Sequence, residues 1–595
     1  MATAEYRTNY YGQELVEEDN DLDISIGQYR PVYDEAQPAM IDEATLVAMQ
    51  QKMAQQAAFA QIPDAVKRFI LHFHQSILDG NVSEISAAYE SGWNKLTEKY
   101  YAKSEWPDAE LFAPLVNDDQ VFLTLYRELY YRHVYSRLSP NIDDRFHSYE
   151  NSCELFNYVL NSDGPVPLEL PDQWLWDIID EFIYQYQSFC VWRSKVKNKN
   201  DEEKAMLADG SQIWSTYSVL NVLYSLIQKS KINENLAAAH RGASAEEIAG
   251  IVGEFGVRPL YRTLGYFSLI GLLRVHTLLG DYTLAVKVMD NIELNPKAFF
   301  MRVTACHVAT YYYVAFCYLA LRRYPDANRT LVNVLNFISR MRPYHTRSYQ
   351  YDQINKTADR MYALLTIGIS LSPTRLDENT MIGLKERCGD QYAKMQRGEE
   401  GLSAFEELFL YACPKFITSV SPPYEDPDLL ALYIKDPPVD APQRHLALFM
   451  TDVRAKLSVP TLRSFLKLYS SLDAKKLANF LDANEEEIVQ QMMVLKQASR
   501  SIGRAGLDGG RLLDGEMIST SDLDFAINEN MVHIVESTIG RRYASLFIKN
   551  TEYAQRIFDH LRSSPLPISK STLTTVEPIP AAPPQPPKPK VAWAK

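Results

Sequence analysis

The sequence predicts a mainly α protein: a tetratricopeptide-like solenoid of helical repeats, then a winged-helix module with a small β-hairpin wing, then a C-terminal bundling helix. Three observations carry this. Helical apolar spacing recurs from one segment to the next with very few alternating runs before residue 525. A turn motif occurs twice, forty-two positions apart. Residues 459–536 then read as three helices followed by two alternating apolar runs around a polar turn.

Residues 1–60 gather Glu14, Glu17, Glu18, Asp19, Asp21 and Asp23 among other acids, against only Arg7, Arg30 and Lys52. This is the composition of an acidic, mobile arm, with one short helix expected over 45–60. The helical array is expected over 61–330. In it Leu279-Gly280-Asp281-Tyr282-Thr283-Leu284-Ala285 aligns with Leu321-Arg322-Arg323-Tyr324-Pro325-Asp326-Ala327. A long apolar helix precedes each turn and a second helix follows it, its small Ala packing on the first. Weaker echoes occur at 69–89, turning at Asp79-Gly80-Asn81, and at 214–239.

The Pro-rich cluster Ser421-Pro422-Pro423-Tyr424-Glu425-Asp426-Pro427, with Pro437, Pro438 and Pro442, predicts surface turns between this array and the C-terminal module. In that module a first helix starts at Pro460, with Leu462, Phe465, Leu466 and Tyr469 at helical spacing. Ser471-Leu472-Asp473 breaks it. A short second helix turns Leu477, Phe480 and Leu481 inward. Asn484 can cap the third, Glu485 to Glu487 suit its positive N-terminal end, and Ile488, Met492 and Leu495 form its buried stripe. A Gly-rich loop (Gly503, Gly506, Gly509, Gly510, Gly515) reads as flexible, and the hairpin 525–534 follows as the wing.

Beyond it, Tyr543, Phe547, Asn550, Ala554, Ile557 and Leu561 alternate at spacings of four and three. Such a seam over 541–562 calls for a partner helix, and a buried Asn in it would fix the register. The tail 563–595, with Pro583-Pro584-Gln585-Pro586-Pro587-Lys588-Pro589-Lys590, is extended polyproline in character; an SH3-type ligand is the sharper alternative.

With a net charge of −14 the chain as a whole is repelled by nucleic-acid phosphates and anionic membranes, so any such contact must be local. A winged helix invites a DNA-binding reading. Glu485-Glu486-Glu487 at the start of the recognition helix argues against it, because base edges call for Arg, Lys, Asn or Gln. Neither a basic-plus-apolar leader nor a membrane-length apolar run is present, and a cytoplasmic location is expected. The six cysteines lack any Cys-x-x-Cys pair, which predicts neither zinc nor a disulfide framework.

His72-Phe73-His74 places its imidazoles on different sides of a helix, where they cannot share a tetrahedral ion. Cys306-His307 lies in an apolar helix and reads as core. No nucleophile elbow or Walker loop is present, so no catalytic residue, cofactor or metal is expected, and the chain is not read as an enzyme. Trp174-Leu175-Trp176 and Tyr311-Tyr312-Tyr313 suit either core packing or base stacking, and their apolar helices favour the core. Arg193, Lys195 and Lys197 with Lys199, and Arg340, Arg342 and Arg347 with His345, are basic runs; a solvated face is the plain reading, RNA contact the sharper one.

A helical solenoid running into a winged helix and a terminal helix resembles the PCI family, the scaffold subunits of the proteasome lid, the signalosome and eukaryotic translation initiation factor 3. The blocks 145–158, 170–182 and 264–274, with Tyr311-Tyr312-Tyr313, are similar to the last of these, across residues 63–561. The resemblance implies a PCI domain over 331–541 that docks on neighbouring PCI subunits. It also implies a non-catalytic role in the complex that binds the 40S ribosomal subunit and promotes recruitment of initiator tRNA and mRNA. Partners would be other subunits of the factor, subunit K foremost. A lid or signalosome scaffold and a directly RNA-binding repeat protein stay open as alternatives.

An unpaired strand edge offers free N–H and C=O groups, so the wing is expected to dock on a neighbour. Phe525, Ile527, Met531, Val532 and Ile534 are its candidate residues; internal packing would claim about half of them, since alternate positions face the domain's own core. Tyr543, Phe547, Asn550, Ile557 and Leu561 are the candidates on the terminal helix.

Overall fold

A computed structural model describes residues 43–564 except 293, 295–298, 346–350, 375, 458, 505–510, 520, 522 and 537. The remainder of the acidic arm and the tail from 565 lie outside the described residues. The chain forms two units: one runs through Ser521 and takes in Ile527–His533, and the other comprises Asp522–Ala526 and the segment from Ile534 onward.

The first unit is built from consecutive helices, opening with Glu43–Gln61. Asp64–Leu78 and Val82–Ala87 turn at Gly80, whose φ of +63° suits glycine, as the Asp-Gly-Asn sequence predicts. The two copies of the repeated motif make the same turn. Pro259–Leu279 and Tyr282–Lys287 are joined through Gly280 at φ +88°; Thr304–Ala320 and Tyr324–His345 are joined through Arg322 at φ +61°, the aligned position. Ala285 and Ala327, aligned four residues on from Asp281 and Arg323, are both fully buried. Small side chains thus sit where the second helix folds back on the first. The copies differ in length, because the second helix of the first copy ends at Lys287.

Of the blocks that carry the family resemblance, 170–182 and 264–274 are mostly buried, while 145–158 mixes buried and exposed positions. Pro259–Leu279 packs against Thr216–Ser230 and Asp172–Ser194. It comes so close to Thr216–Ser230 that a Cβ on Gly265 would collide with Ser230 Oγ and sit 2.8 Å from Ser230 Cβ. Trp174 is wholly buried, stacked on Phe73 (5.5 Å) and on Tyr89 (5.0 Å), with its indole N–H donated to Glu128 Oε2 at 3.0 Å. Tyr312 is buried and donates to Ala412 O at 2.6 Å. The aromatic pairs therefore fill gaps between helices.

Two prolines expected in surface turns instead begin helices. Pro427 opens Pro427–Lys435 behind an Asp426 cap, and Pro442 lies in the first turn of Ala441–Arg454. A first-turn proline gives up no helical hydrogen bond, which is why turn chemistry and helix start could be confused here. Tyr424 in the same cluster is buried, donating to Arg193 O at 2.5 Å.

The C-terminal part follows the predicted order, with additions. The helices are Val459–Leu466, Ala474–Phe480 and Glu485–Ala498. The break at 471–473 is a strand, β1 (Ser471–Asp473); β2 (Arg500–Gly503) and β3 (Glu516–Ser519) form an antiparallel ribbon around the Gly-rich segment; β4 (Leu523–Asn528) and β5 (Met531–Glu536) are the hairpin. The three-stranded sheet has the order β1-β5-β4. In the second unit the helix Thr538–Ser563 follows the hairpin.

The Gly-rich segment is anchored at its described ends. Arg323, in the repeat turn, forms a buried ion pair with Asp326 at 2.7 Å and donates to Leu513 O (2.8 Å) and Asp514 O (2.9 Å). Asp326 Oδ1 accepts from Arg504 N at 3.0 Å, and Tyr318 donates to Leu512 O at 2.8 Å. The glycines alone suggested flexibility. The partners that hold the segment lie some 190 residues earlier.

Candidate protein-docking interface

Burial separates what holds this module together from what it presents. Leu462 and Leu466 of the first helix, Ala474, Leu477 and Ala478 of the second, and Ile488, Met492 and Leu495 of the third are buried. Phe480, expected inside, is 43% exposed and stacks on Phe465 at 5.9 Å, while Ala474 and Ala478 join Leu477 on the buried face. Asp473 ends β1 and caps the second helix, accepting from Lys475 N at 2.9 Å, while Ala474 N donates to Asn530 O at 2.8 Å. The strand end, the helix start and the hairpin turn are thus tied together.

In the sheet, Leu472 faces Val532, with Ser471 opposite His533 and Asp473 opposite Met531. Both members of the Leu472–Val532 pair are buried. With β1 on one side and β4 on the other, β5 is the central strand of this sheet and β1 and β4 are its outer strands. Of the wing candidates, Phe525 and Val532 are buried, Ile527 and Ile534 are half-buried, and Met531 is 40% exposed. The buried pair serves the module's interior, in line with strand alternation. Met531 is the candidate that projects into solvent.

The third helix presents Glu486 and Glu487 at its N-terminal end and Met493 (56%) and Val494 (44%) further along. A surface of acid followed by apolar side chains suits a protein partner better than a phosphate backbone.

Thr538–Ser563 is exposed at every position whose side chain is described, 543–563. Tyr543 (57%), Phe547 (67%), Ile557 (42%) and Leu561 (68%) of the predicted seam are open, as is Asn550, and Leu546, Tyr553 and Phe558 are open beside them. Apolar side chains are thus exposed along the described length of this helix.

The basic runs divide. Arg193 is buried, its guanidinium over the Phe189 ring, and is removed from any RNA-facing set; Lys195 and Lys197 are exposed. Lys199 is also buried, with its ammonium over the Trp192 ring, and burial lowers its pKa to about 8. Arg340 is exposed, Arg342 lies in Tyr324–His345, and Arg347 lies outside the described residues. Sequence spacing could not separate these lysines and arginines, because burial of the long stems depends on aromatic partners in the fold.

His74 is buried and bonds Asp119 Oδ2 at 3.1 Å, while His72 is exposed. Among the described residues no cluster of three or more His, Cys, Asp or Glu could hold a metal ion, and no helix is long and apolar enough to cross a membrane. All six cysteines are free thiols.

Residues 144–554 match the protein family described as RNA polymerase I-associated factor PAF67. Relatives named eukaryotic translation initiation factor 3 subunit L align along most of the chain. The protein of Mycosarcoma maydis is 56% identical over 92% of this chain and 82% of its own length. That of Nematostella vectensis is 48% identical over 82% and 91%, and that of Homo sapiens 44% over 84% and 90%.

Proposed function

The chain belongs to the family of eukaryotic translation initiation factor 3 subunit L, and we propose that it is a non-catalytic scaffold subunit of that factor. In this reading it assembles through a PCI module, residues 331–541 with the winged helix at 459–536. The assembled complex binds the 40S ribosomal subunit in the cytoplasm and promotes recruitment of initiator tRNA and mRNA. The tetratricopeptide-like array in front supplies reach, and other PCI subunits, subunit K foremost, are the neighbours.

One observation carries the reading: the solvent-facing apolar stripe of Thr538–Ser563, with Phe547 and Leu561 each about two-thirds exposed. Single exposed apolar residues are ordinary, whereas a continuous stripe marks an interaction surface. The outer strand β1 offers a second contact by strand addition.

Affinity purification of the tagged full chain, with mass spectrometry of what it retains, tests this. Retention of translation initiation factor 3 subunits supports it. Retention instead of proteasome-lid, signalosome or RNA polymerase I subunits overturns it. Direct RNA contact is the second reading, favoured by the exposed Lys195, Lys197 and Arg340. A salt-dependent crosslink of the isolated chain to RNA that is lost when the three are changed to Gln supports that one.

A further inference from the structure

Around the end of the helix Asp172–Ser194, three buried cations stand without an acid partner. Arg145, Arg193 and Lys199 are 7%, 6% and 7% exposed, and among the described residues none of them forms an ion pair. A charge taken out of water is costly unless it is paired, so three such cations in a chain of net charge −14 call for an explanation.

Aromatic rings join them. The Lys199 ammonium lies 3.1 Å from the centroid of the Trp192 ring, and the Arg145 guanidinium lies 4.9 Å from the same centroid. Arg193 lies 5.3 Å from the Phe189 ring, which is 5.9 Å from Trp192. Ring faces attract cations but carry no net charge, so they hold these groups without neutralising them. The hydrogen-bond partners of Arg145 are also neutral: Ser188 Oγ at 3.3 Å and the Tyr135 phenol, whose pKa burial raises to about 12. Arg145 Nε has no partner, and among the described residues Lys199 Nζ has no acceptor.

The charges that act on this cluster leave it positive. Glu203 acts on Lys199 and Asp144 on Arg145, and each already accepts a backbone N–H, from Asn200 and from Asn141, both at 2.9 Å. Asp201 pairs with Lys204 at 2.8 Å. Exposed Lys195 adds its charge to Lys199, and exposed Lys197 lies between them in the chain. The negative end of Asp172–Ser194 and the positive start of Asp201–Asp209 flank the same short connection and offset one another. Arg145, Arg193, Lys195, Lys197 and Lys199 thus outnumber Asp144, Glu203 and the exposed Glu202 by two.

An excess of two positive charges, with donors to spare on Arg145 and Lys199, matches one dianionic oxyanion. A phosphate group carries about −1.5 to −2 at pH 7 and offers several strong acceptor oxygens, whereas a carboxylate brings a single charge. Guanidinium and ammonium groups are its usual partners. Lys195 is exposed and Trp192 half-buried, so the cluster is approached from the surface on their side.

We propose that Arg145 and Lys199, set against Trp192 with Lys195 at the entrance, bind one dianionic phosphate group, either the free ion or a small phosphate monoester. The phosphate is the counter-charge that the fold itself does not supply. This site is separate from the docking face of Thr538–Ser563.

Isothermal titration calorimetry of the full chain with inorganic phosphate and, separately, with glycerol phosphate at constant ionic strength tests this. Binding is expected, and which of the two binds tighter tells the free ion from the monoester. Lys199→Met is expected to weaken binding about tenfold or more. In phosphate-free buffer the same variant is expected to melt no lower than the unaltered chain, because its stem still covers Trp192 and an unpaired buried charge has gone. A lower melting temperature there makes Lys199 a structural group and overturns the proposal. Lys195→Gln, at an exposed position, is the second variant and is expected to bind about threefold more weakly. Absence of binding by the folded unaltered chain, or equal binding by both variants, overturns the site. Acetate bound as tightly as phosphate overturns the dianion assignment. Tighter binding of an oligouridylate without a terminal phosphate, lost in Lys199→Met, overturns it in favour of an RNA backbone.

Discussion

Asp326 holds Arg323 at 2.7 Å with both side chains buried, three residues apart across the start of one helix, and together they fix the backbone of a segment nearly two hundred residues further on. The pair is a clamp between the repeat array and the C-terminal module. Its two partners come from the repeated turn, so the same motif sets a hairpin and anchors a distant loop.

Arg323→Met leaves the Asp326 carboxylate buried with its cation gone, at a cost of about 3–5 kcal/mol. The loop loses its hydrogen bonds to Leu513 O and Asp514 O at the same time. Tryptic cleavage after Arg504 or Arg511, followed by mass, is expected to accelerate strongly in this variant. Asp326→Asn, which keeps a polar acceptor for Arg504 N, is expected to lie between it and the unaltered chain.

Gly265→Ala is expected to destabilise by about 1–3 kcal/mol, because the added methyl meets Ser230 and the two helices must separate. Gly250→Ala, in Ala245–Val257 with nothing within 4 Å of its Cβ, is the matched control and is expected to be neutral or slightly stabilising. Chemical denaturation of the two variants measures the difference.

His307 is buried among Phe300, Tyr311 and Phe337, its Nδ1 without a hydrogen-bond partner, and burial lowers its pKa to about 4. The unfolded chain takes up this proton below about 6.5 and the folded chain only near 4. Its contribution is therefore fully present above about pH 6.5 and is lost as pH falls through 4, amounting to about 3 kcal/mol. His307→Leu is expected to flatten that part of the stability curve between pH 6.5 and 4. An unchanged acid limb counts against the assignment.

Val532→Pro places a residue without an N–H in the central strand, opposite Leu472. The small sheet is expected to lose its pairing and to expose its amides to hydrogen exchange. Met531→Lys, on the exposed side of the same strand, is expected to leave exchange unchanged.

What the sequence made legible was local. The Ile488, Met492 and Leu495 stripe, the Gly80 turn and the paired Ala285 and Ala327 follow from spacing and residue size, which neighbouring residues decide. The strand at Leu472 was hidden because three residues with one apolar position carry no alternation. The β2–β3 ribbon was hidden for the same reason, with its pairing set across a Gly-rich segment. Burial of Arg193 and docking of the 512–514 backbone on Arg323 depend on contacts between residues far apart in sequence, which no window of the sequence contains. The wing candidates were half legible: period two says that alternate residues face inward, and sheet order decides which strand is left with an edge.

The central claim is that the exposed face of Thr538–Ser563 docks this chain into its complex. The most direct measurement is co-purification of translation initiation factor 3 subunits with the tagged full chain carrying Phe547→Glu and Leu561→Glu. Both side chains are exposed, so thermal stability is expected to stay within about 0.5 kcal/mol of the unaltered chain. Loss of the partner subunits from that folded variant is the predicted result, and retention of the full partner set would contradict the account.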